Sequence, residues 1–175
     1  MTGQHRAIGV RPLVQDDVPH LERMERELFR DGAWSRDALT EEIGGPGRWY
    51  VGAVAPGGGD LLGYAGLWFD GFDAQVMTIG TATAAQRTGV GTLLLDALLD
   101  RAREAGAERV LLEVRVDNDP ALRLYERAGF RRLSRRRGYY QPENVDAWTM
   151  SLALRERAAA PPSDTPTPTD EEPDA

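Results

Sequence analysis

The chain has 175 residues, 41% of them hydrophobic, with 21 basic residues against 28 acidic and a formal net charge of −7. Every base is an arginine, and lysine and cysteine are both absent. That excludes a disulfide scaffold, a thiolate metal site, a cysteine nucleophile, a lysine Schiff base and a lysine-bearing phosphate loop.

A short strand is expected over Ile8–Leu13. A helix follows, with Asp16 or Asp17 placed to cap it and Val18, Leu21, Met24, Glu25 and Leu28 at helical spacing. Ser35 is a second cap, leading through Leu39 and Ile43 to a stop at Gly44-Gly45. Trp49–Ala55 and Leu61–Phe69 read as strands joined by Pro56-Gly57-Gly58-Gly59-Asp60, and Ala74–Thr81 as a third strand of the same meander. Val90–Gly106 is an amphipathic helix rich in Leu and Ala, stopped by its glycine. In Glu108–Val116, Val110, Leu112, Val114 and Val116 alternate with Leu111, Glu113 and Arg115. Asp119-Pro120 opens a shorter helix that Gly129 closes; Phe130–Arg137 and Ala147–Leu154 are the last strands. The fold class is α+β, a mixed sheet flanked by helices, in one domain over residues 1–157.

Residues 158–175 hold five prolines, five acids and no large apolar side chain. Such a segment is expected to be disordered. It can be an interaction tail or a solubilising overhang, and it takes five of the seven surplus negative charges, leaving the body close to neutral. The acidic balance argues against direct nucleic-acid binding. No apolar run is long enough to span a membrane, and residues 1–8 lack a signal-peptide core, so a cytoplasmic protein is expected. His5 and His20 sit outside any constellation of metal ligands, so no metal is expected.

Three features carry chemistry. Gln86-Arg87-Thr88-Gly89-Val90-Gly91-Thr92 joins a strand to a helix. Its glycines permit close backbone approach, and the first amides of a helix attract anions, so the turn suits a pyrophosphate; the plain alternative is a connector. Glu113 is an acid in mid-strand among apolar neighbours. It reads either as a general base whose surroundings raise its pKa or as a solvated residue beside Arg115. Tyr125 sits on the short helix that Asn118 precedes; taken singly they are a core aromatic and a cap.

Taken together, the Q-x-x-G-x-G turn, Leu112-Glu113-Val114-Arg115, the N-x-x-A-x-x-L-Y-E-x-x-G-F helix and Tyr139-Tyr140 resemble the GNAT acetyltransferase superfamily. Within it they are similar to the ribosomal-protein-alanine N-acetyltransferases, the RimI family, and Ala33-Trp34-Ser35 resembles that family's Pro-Trp-Ser. The resemblance covers Arg11 to Leu154. It implies a sheet of about seven strands whose parallel pair splays to hold acetyl-CoA, and transfer of the acetyl group to the N-terminal α-amino group of a protein. Ile79, Gly80 and Thr81 would pair with the pantetheine arm. Gln86, Arg87, Thr88, Gly89, Val90, Gly91 and Thr92 would cradle the pyrophosphate, and Asn118 would touch the cofactor. Glu113 matches the proton acceptor and Tyr125 the proton donor, while Trp34, Tyr139, Tyr140 and Asp146 are candidate walls of the peptide groove. The acceptor implied is the alanine N-terminus of a small-subunit ribosomal protein. A small amine, a polyamine, other protein N-termini, or a non-enzymatic acyl-CoA-binding module are the alternatives.

The chain departs from the pattern at Ala33, at Gly80-Thr81, and in the small run Thr81-Ala82-Thr83-Ala84-Ala85. Backbone contacts tolerate the last two changes; the first bears on the acceptor groove. Arg131-Arg132-Leu133-Ser134-Arg135-Arg136-Arg137 reads as an RNA contact, as electrostatics for CoA or the acceptor, or as a solvated strand. Universal use of arginine favours the last.

Overall fold

The computed structural model describes residues 7–154; the expected tail and both ends of the expected domain, residues 1–6 and 155–157, lie outside the described residues. Seven strands form one sheet: β1 (Gly9–Pro12), β2 (Arg48–Val54), β3 (Leu61–Phe69), β4 (Asp73–Thr81), β5 (Arg109–Arg115), β6 (Arg131–Tyr140) and β7 (Val145–Ala153). Their spatial order is β1-β2-β3-β4-β5-β7-β6, with β4 and β5 the parallel pair. The helices are α1 (Val18–Phe29), α2 (Arg36–Glu42), α3 (Val90–Ala105) and α4 (Asp119–Arg127).

Strand alternation divides the core in two. Along β3, Tyr64 belongs to the cluster with Leu21, Met24 and Leu39 of α1 and α2. Its neighbour Ala65 belongs to the cluster with Leu94, Leu95 and Leu98 of α3 and Leu122 of α4. The sheet is therefore buried on both faces at β2 and β3, whereas β6 at its edge is exposed along most of its length. Each fully buried leucine contributes about 1.5–3 kcal/mol of transfer free energy, so α3, with Leu94, Leu95, Leu98 and Leu99 all buried, is the principal anchor.

Local signals set the helix ends. Ser35 accepts the Ala38 amide at 3.2 Å and caps α2. Gly106 takes φ +83° and bonds back to the Ala102 and Arg103 carbonyls, stopping α3 as expected. The acidic cap of α1 is different. Asp17 stands at its N-terminus, but the carboxylate turns away to accept the Val14 amide at 2.9 Å and both nitrogens of Arg11 at 2.8 Å. A bidentate arginine outcompetes a cap. The end of β6 also differs, running through Tyr140 where the sequence suggests a stop at Arg137. Gly138, at φ +56°, is absorbed in an irregularity between Arg136 and Tyr140 and donates its amide to Asp146 at 2.8 Å.

The central feature is a wedge. β4 and β5 pair only at Asp73–Arg109, Ala74–Val110 and Gln75–Leu111. Beyond those pairs the strands part. The pairing of β3 with β4 passes from Gly66–Thr78 to Leu67–Val76, leaving Met77 as the extra residue of a bulge. A bulge bends its strand, and this one lies just past the last β4–β5 pair. One edge of β4 and one of β5 are thereby left facing each other without a strand between them.

Candidate active site

Two clefts open at the wedge. The first, about 580 Å³, is bounded by the end of β4, the Gly-rich turn and α4. The second, about 700 Å³, lies between the α1–α2 connection, the splayed halves of β4 and β5, and the β6–β7 hairpin. Leu28, Phe29, Ile79, Asn118, Ala121 and Tyr125 line both, so the clefts are continuous.

The turn explains the character of the first cleft. Arg87 at φ +63° and Gly89 at φ +87° take left-handed conformations in a turn that leads into α3. Such alternation aims successive amides into one concavity. The first main-chain bond after the turn is Leu93 N–H to Gly89. The amides of Arg87 through Thr92 have no acceptor among the described residues, as the first turn of a helix leaves them. At Gly91 a Cβ would meet only Leu124 at 3.6 Å and Thr81 at 3.9 Å, so the protein itself has room for a side chain there. The bare backbone leaves that room to a ligand. Among acids and bases, the lining holds Arg87, Arg123 and Arg127 and no carboxylate. Of the expected cofactor residues, Ile79, Gly80, Thr81, Gln86, Arg87, Gly89, Gly91, Thr92 and Asn118 line this cleft. The side chains of Thr88 and Val90 do not: Thr88 donates to the Ala85 carbonyl and Val90 is core. Gly80 has a packing reason as well, because a Cβ would lie 2.7 Å from the ring of Tyr64.

The second cleft has the opposite balance. Glu25, Asp31, Glu113 and Glu143 outnumber Arg30 and Arg115. Glu113 is part-buried in the cleft wall and its carboxylate is partnered: one oxygen accepts from Thr149 Oγ1 at 2.8 Å and the other from Arg136 Nη1 at 3.1 Å. Thr149 is its cross-strand neighbour on β7. Arg115 is engaged elsewhere, with Asp117 at 3.0 Å, and lies over the Tyr140 ring. Tyr125 is buried, packs edge-on against Phe130 with ring centroids 5.8 Å apart, and its hydroxyl has no partner among the described residues. Burial raises its pKa, so at neutral pH the hydroxyl keeps its proton. Burial also pushes Tyr140 up to about 12. Asn118 accepts the Ala121 amide at 3.2 Å as the α4 cap while lining both clefts.

Of the expected acceptor walls, Trp34 and Tyr140 line the second cleft; Tyr139 and Asp146 do not. Tyr139 stands edge-on to Tyr140 at 5.1 Å and carries Arg136 above its ring. Asp146 fastens the hairpin: the Gly138 amide, and then Arg135, hold its carboxyl below the usual range. Three arginines of the β6 run are paired within the protein, Arg132 with Glu126, Arg135 with Asp146 and Arg136 with Glu113.

Glu25 carried no functional signal in the sequence. It is 1% exposed and lines the second cleft. It accepts the Trp34 amide at 2.8 Å and the Tyr64 hydroxyl, tying the cleft wall at Trp34 to β3. Burial raises its pKa against the pull of both donors.

Residues 15–130 match the acetyltransferase (GNAT) family. The chain is 41% identical over 155 residues to N-alpha-acetyltransferase RimI of Mycobacterium tuberculosis, covering 86% of this chain and 95% of that one. It is 30% identical to a putative [ribosomal protein bS18]-alanine N-acetyltransferase of Bacillus subtilis, covering 85% of this chain and 97% of the relative. The crystal structure of the ribosomal-protein-S18-alanine N-acetyltransferase from Escherichia coli superposes with a TM-score of 0.78 at 25% identity, covering 87% and 97% of the two chains.

Proposed function

Because the chain belongs to the GNAT family of acetyltransferases, we propose a division of labour among its residues in moving an acetyl group from acetyl-CoA to a protein's N-terminal α-amino group. The observation that carries it is the junction of an acid-free, arginine-bearing cleft with an acid-rich one at the buried Tyr125. The first suits a polyanionic co-substrate. The second suits an ammonium group.

The amides of Arg87 to Thr92 hold the pyrophosphate, and the open edge of β4 at Ile79, Gly80 and Thr81 pairs with the pantetheine arm. An α-ammonium has a pKa of about 7.7–8.0, so roughly a tenth to a fifth is free base at pH 7. Glu113, aimed by Thr149 and Arg136, takes the remaining proton as nitrogen attacks. Negative charge grows on the carbonyl oxygen beside the unpaired edge of β4, where main-chain N–H groups can meet it. Tyr125, protonated at neutral pH, gives its proton to the departing thiolate. With no cysteine to carry the acetyl group, transfer is direct. Trp34 and Tyr140 flank the entering peptide.

The acceptor proposed is the alanine N-terminus of a small-subunit ribosomal protein, the class named for the relatives from Bacillus subtilis and Escherichia coli. A panel of peptides starting with alanine or other residues, an N-terminally blocked control and free polyamines tests it by thiol release. Turnover confined to the free alanine peptide supports the assignment. Faster turnover of a polyamine or another N-terminus transfers it to that acceptor, and thiol release from no acceptor leaves only a binding module.

A further inference from the structure

The first cleft holds more positive charge than a pyrophosphate requires. The unpaired amides from Arg87 to Thr92 already match a pyrophosphate, yet Arg123 and Arg127 also line the cleft. They stand four residues apart on α4, one turn above each other on one face. Leu124, between them, lies 3.6 Å from the point where a Gly91 Cβ would stand, which sets this part of α4 against the turn. Neither arginine has a carboxylate partner among the described residues, whereas Arg115, Arg132, Arg135 and Arg136 are all paired. Arg127 Nε–H donates to the Arg123 carbonyl at 3.3 Å, which orients the head and leaves its terminal nitrogens free.

Two unpaired guanidinium groups on one helix face are matched to a dianionic phosphomonoester, whose oxygens accept forked N–H pairs. We propose that Arg123 and Arg127 form a clamp for the 3′-phosphate of the acyl-CoA ribose, so that the protein distinguishes CoA from 3′-dephospho-CoA. The inference rests on the acetyl-CoA reading of this cleft and is independent of which acceptor is used. The clamp acts on binding, since the 3′-phosphate takes no part in bond making.

Equilibrium binding of CoA and 3′-dephospho-CoA to the full chain tests it. The expected result is affinity for CoA about tenfold or more above that for 3′-dephospho-CoA, one to two charge-assisted contacts' worth. The double variant R123Q/R127Q should bring the ratio near one by weakening CoA alone, with R123Q and R127Q intermediate. Equal affinity of the wild type for both ligands overturns the clamp, as does a double variant that weakens both alike. Failure to acetylate any peptide while this ratio holds removes the acceptor assignment and keeps the clamp. Binding of neither ligand removes both.

Discussion

At the residue scale, the proposed chemistry turns on two protons and stability on one buried carboxyl. Glu113→Gln keeps the reach to Thr149 and Arg136 but loses basicity; Tyr125→Phe keeps the edge contact with Phe130 but loses the proton. Each should lower kcat by about 10²-fold or more while the affinity for CoA changes little. Steady-state kinetics with parallel CoA binding measures both, and unchanged turnover in either variant contradicts the role given to it. Glu25 belongs to stability. Glu25→Ala strands the Trp34 amide and the Tyr64 hydroxyl, at a cost of about 2 kcal/mol or more, read from urea unfolding. Its raised pKa fixes a pH sign: the contribution is complete below the unfolded glutamate value and fades as pH rises through the higher folded value. Glu25→Gln should remove that pH dependence; a variant with the wild-type pH profile of stability contradicts it. Glu113 stands out in the sequence because an acid in mid-strand is conspicuous. Glu25 does not, because its hydroxyl partner lies 39 residues away on β3, and no local pattern reports that distance.

The decisive elements are the turn into α3 and the splayed strand β4. Gly89 combines a left-handed φ of +87° with open space around its missing Cβ. Gly89→Ala therefore meets conformational strain of about 1–2 kcal/mol without a clash. The strain falls on the turn whose amides face the cleft, so the Kd for acetyl-CoA should rise several-fold while the melting temperature changes modestly. An unaltered Kd would show that the cradle does not depend on this geometry. The turn and the helices could be read directly, since glycines and capping side chains act over a few residues. Ser35 and Gly106 cap as their types require. Of the two caps expected for α1, Asp17 takes the N-cap position but makes no capping bond, because Arg11 competes for its carboxylate from the preceding strand. The bulge at Met77 has no signature in its own residues; it exists in the register of β4 against β3.

Over the whole molecule, a sheet whose central strands are buried on both faces holds open a wedge whose two sides differ in charge. The alternation of elements and the resemblance conveyed the fold class and the parallel pair, and residues 15–130 match the family. The charge separation was hidden, because acids and arginines are interspersed along the chain and sort into different clefts only on folding. The arginine run of β6 shows the same effect: a basic stripe in sequence becomes three internal ion pairs, one of them the partner of Glu113. Among the described residues no helix is long and apolar enough to cross a membrane.

The central claim is direct transfer, within one ternary complex, from acetyl-CoA to a protein's α-amino nitrogen. Initial rates measured with acetyl-CoA and an alanine-starting peptide varied together, with the product located by fragmentation mass spectrometry, test it most directly. The account predicts intersecting double-reciprocal lines and a single acetyl group on the α-nitrogen. Parallel lines, or an acetyl group on a side chain, would contradict it.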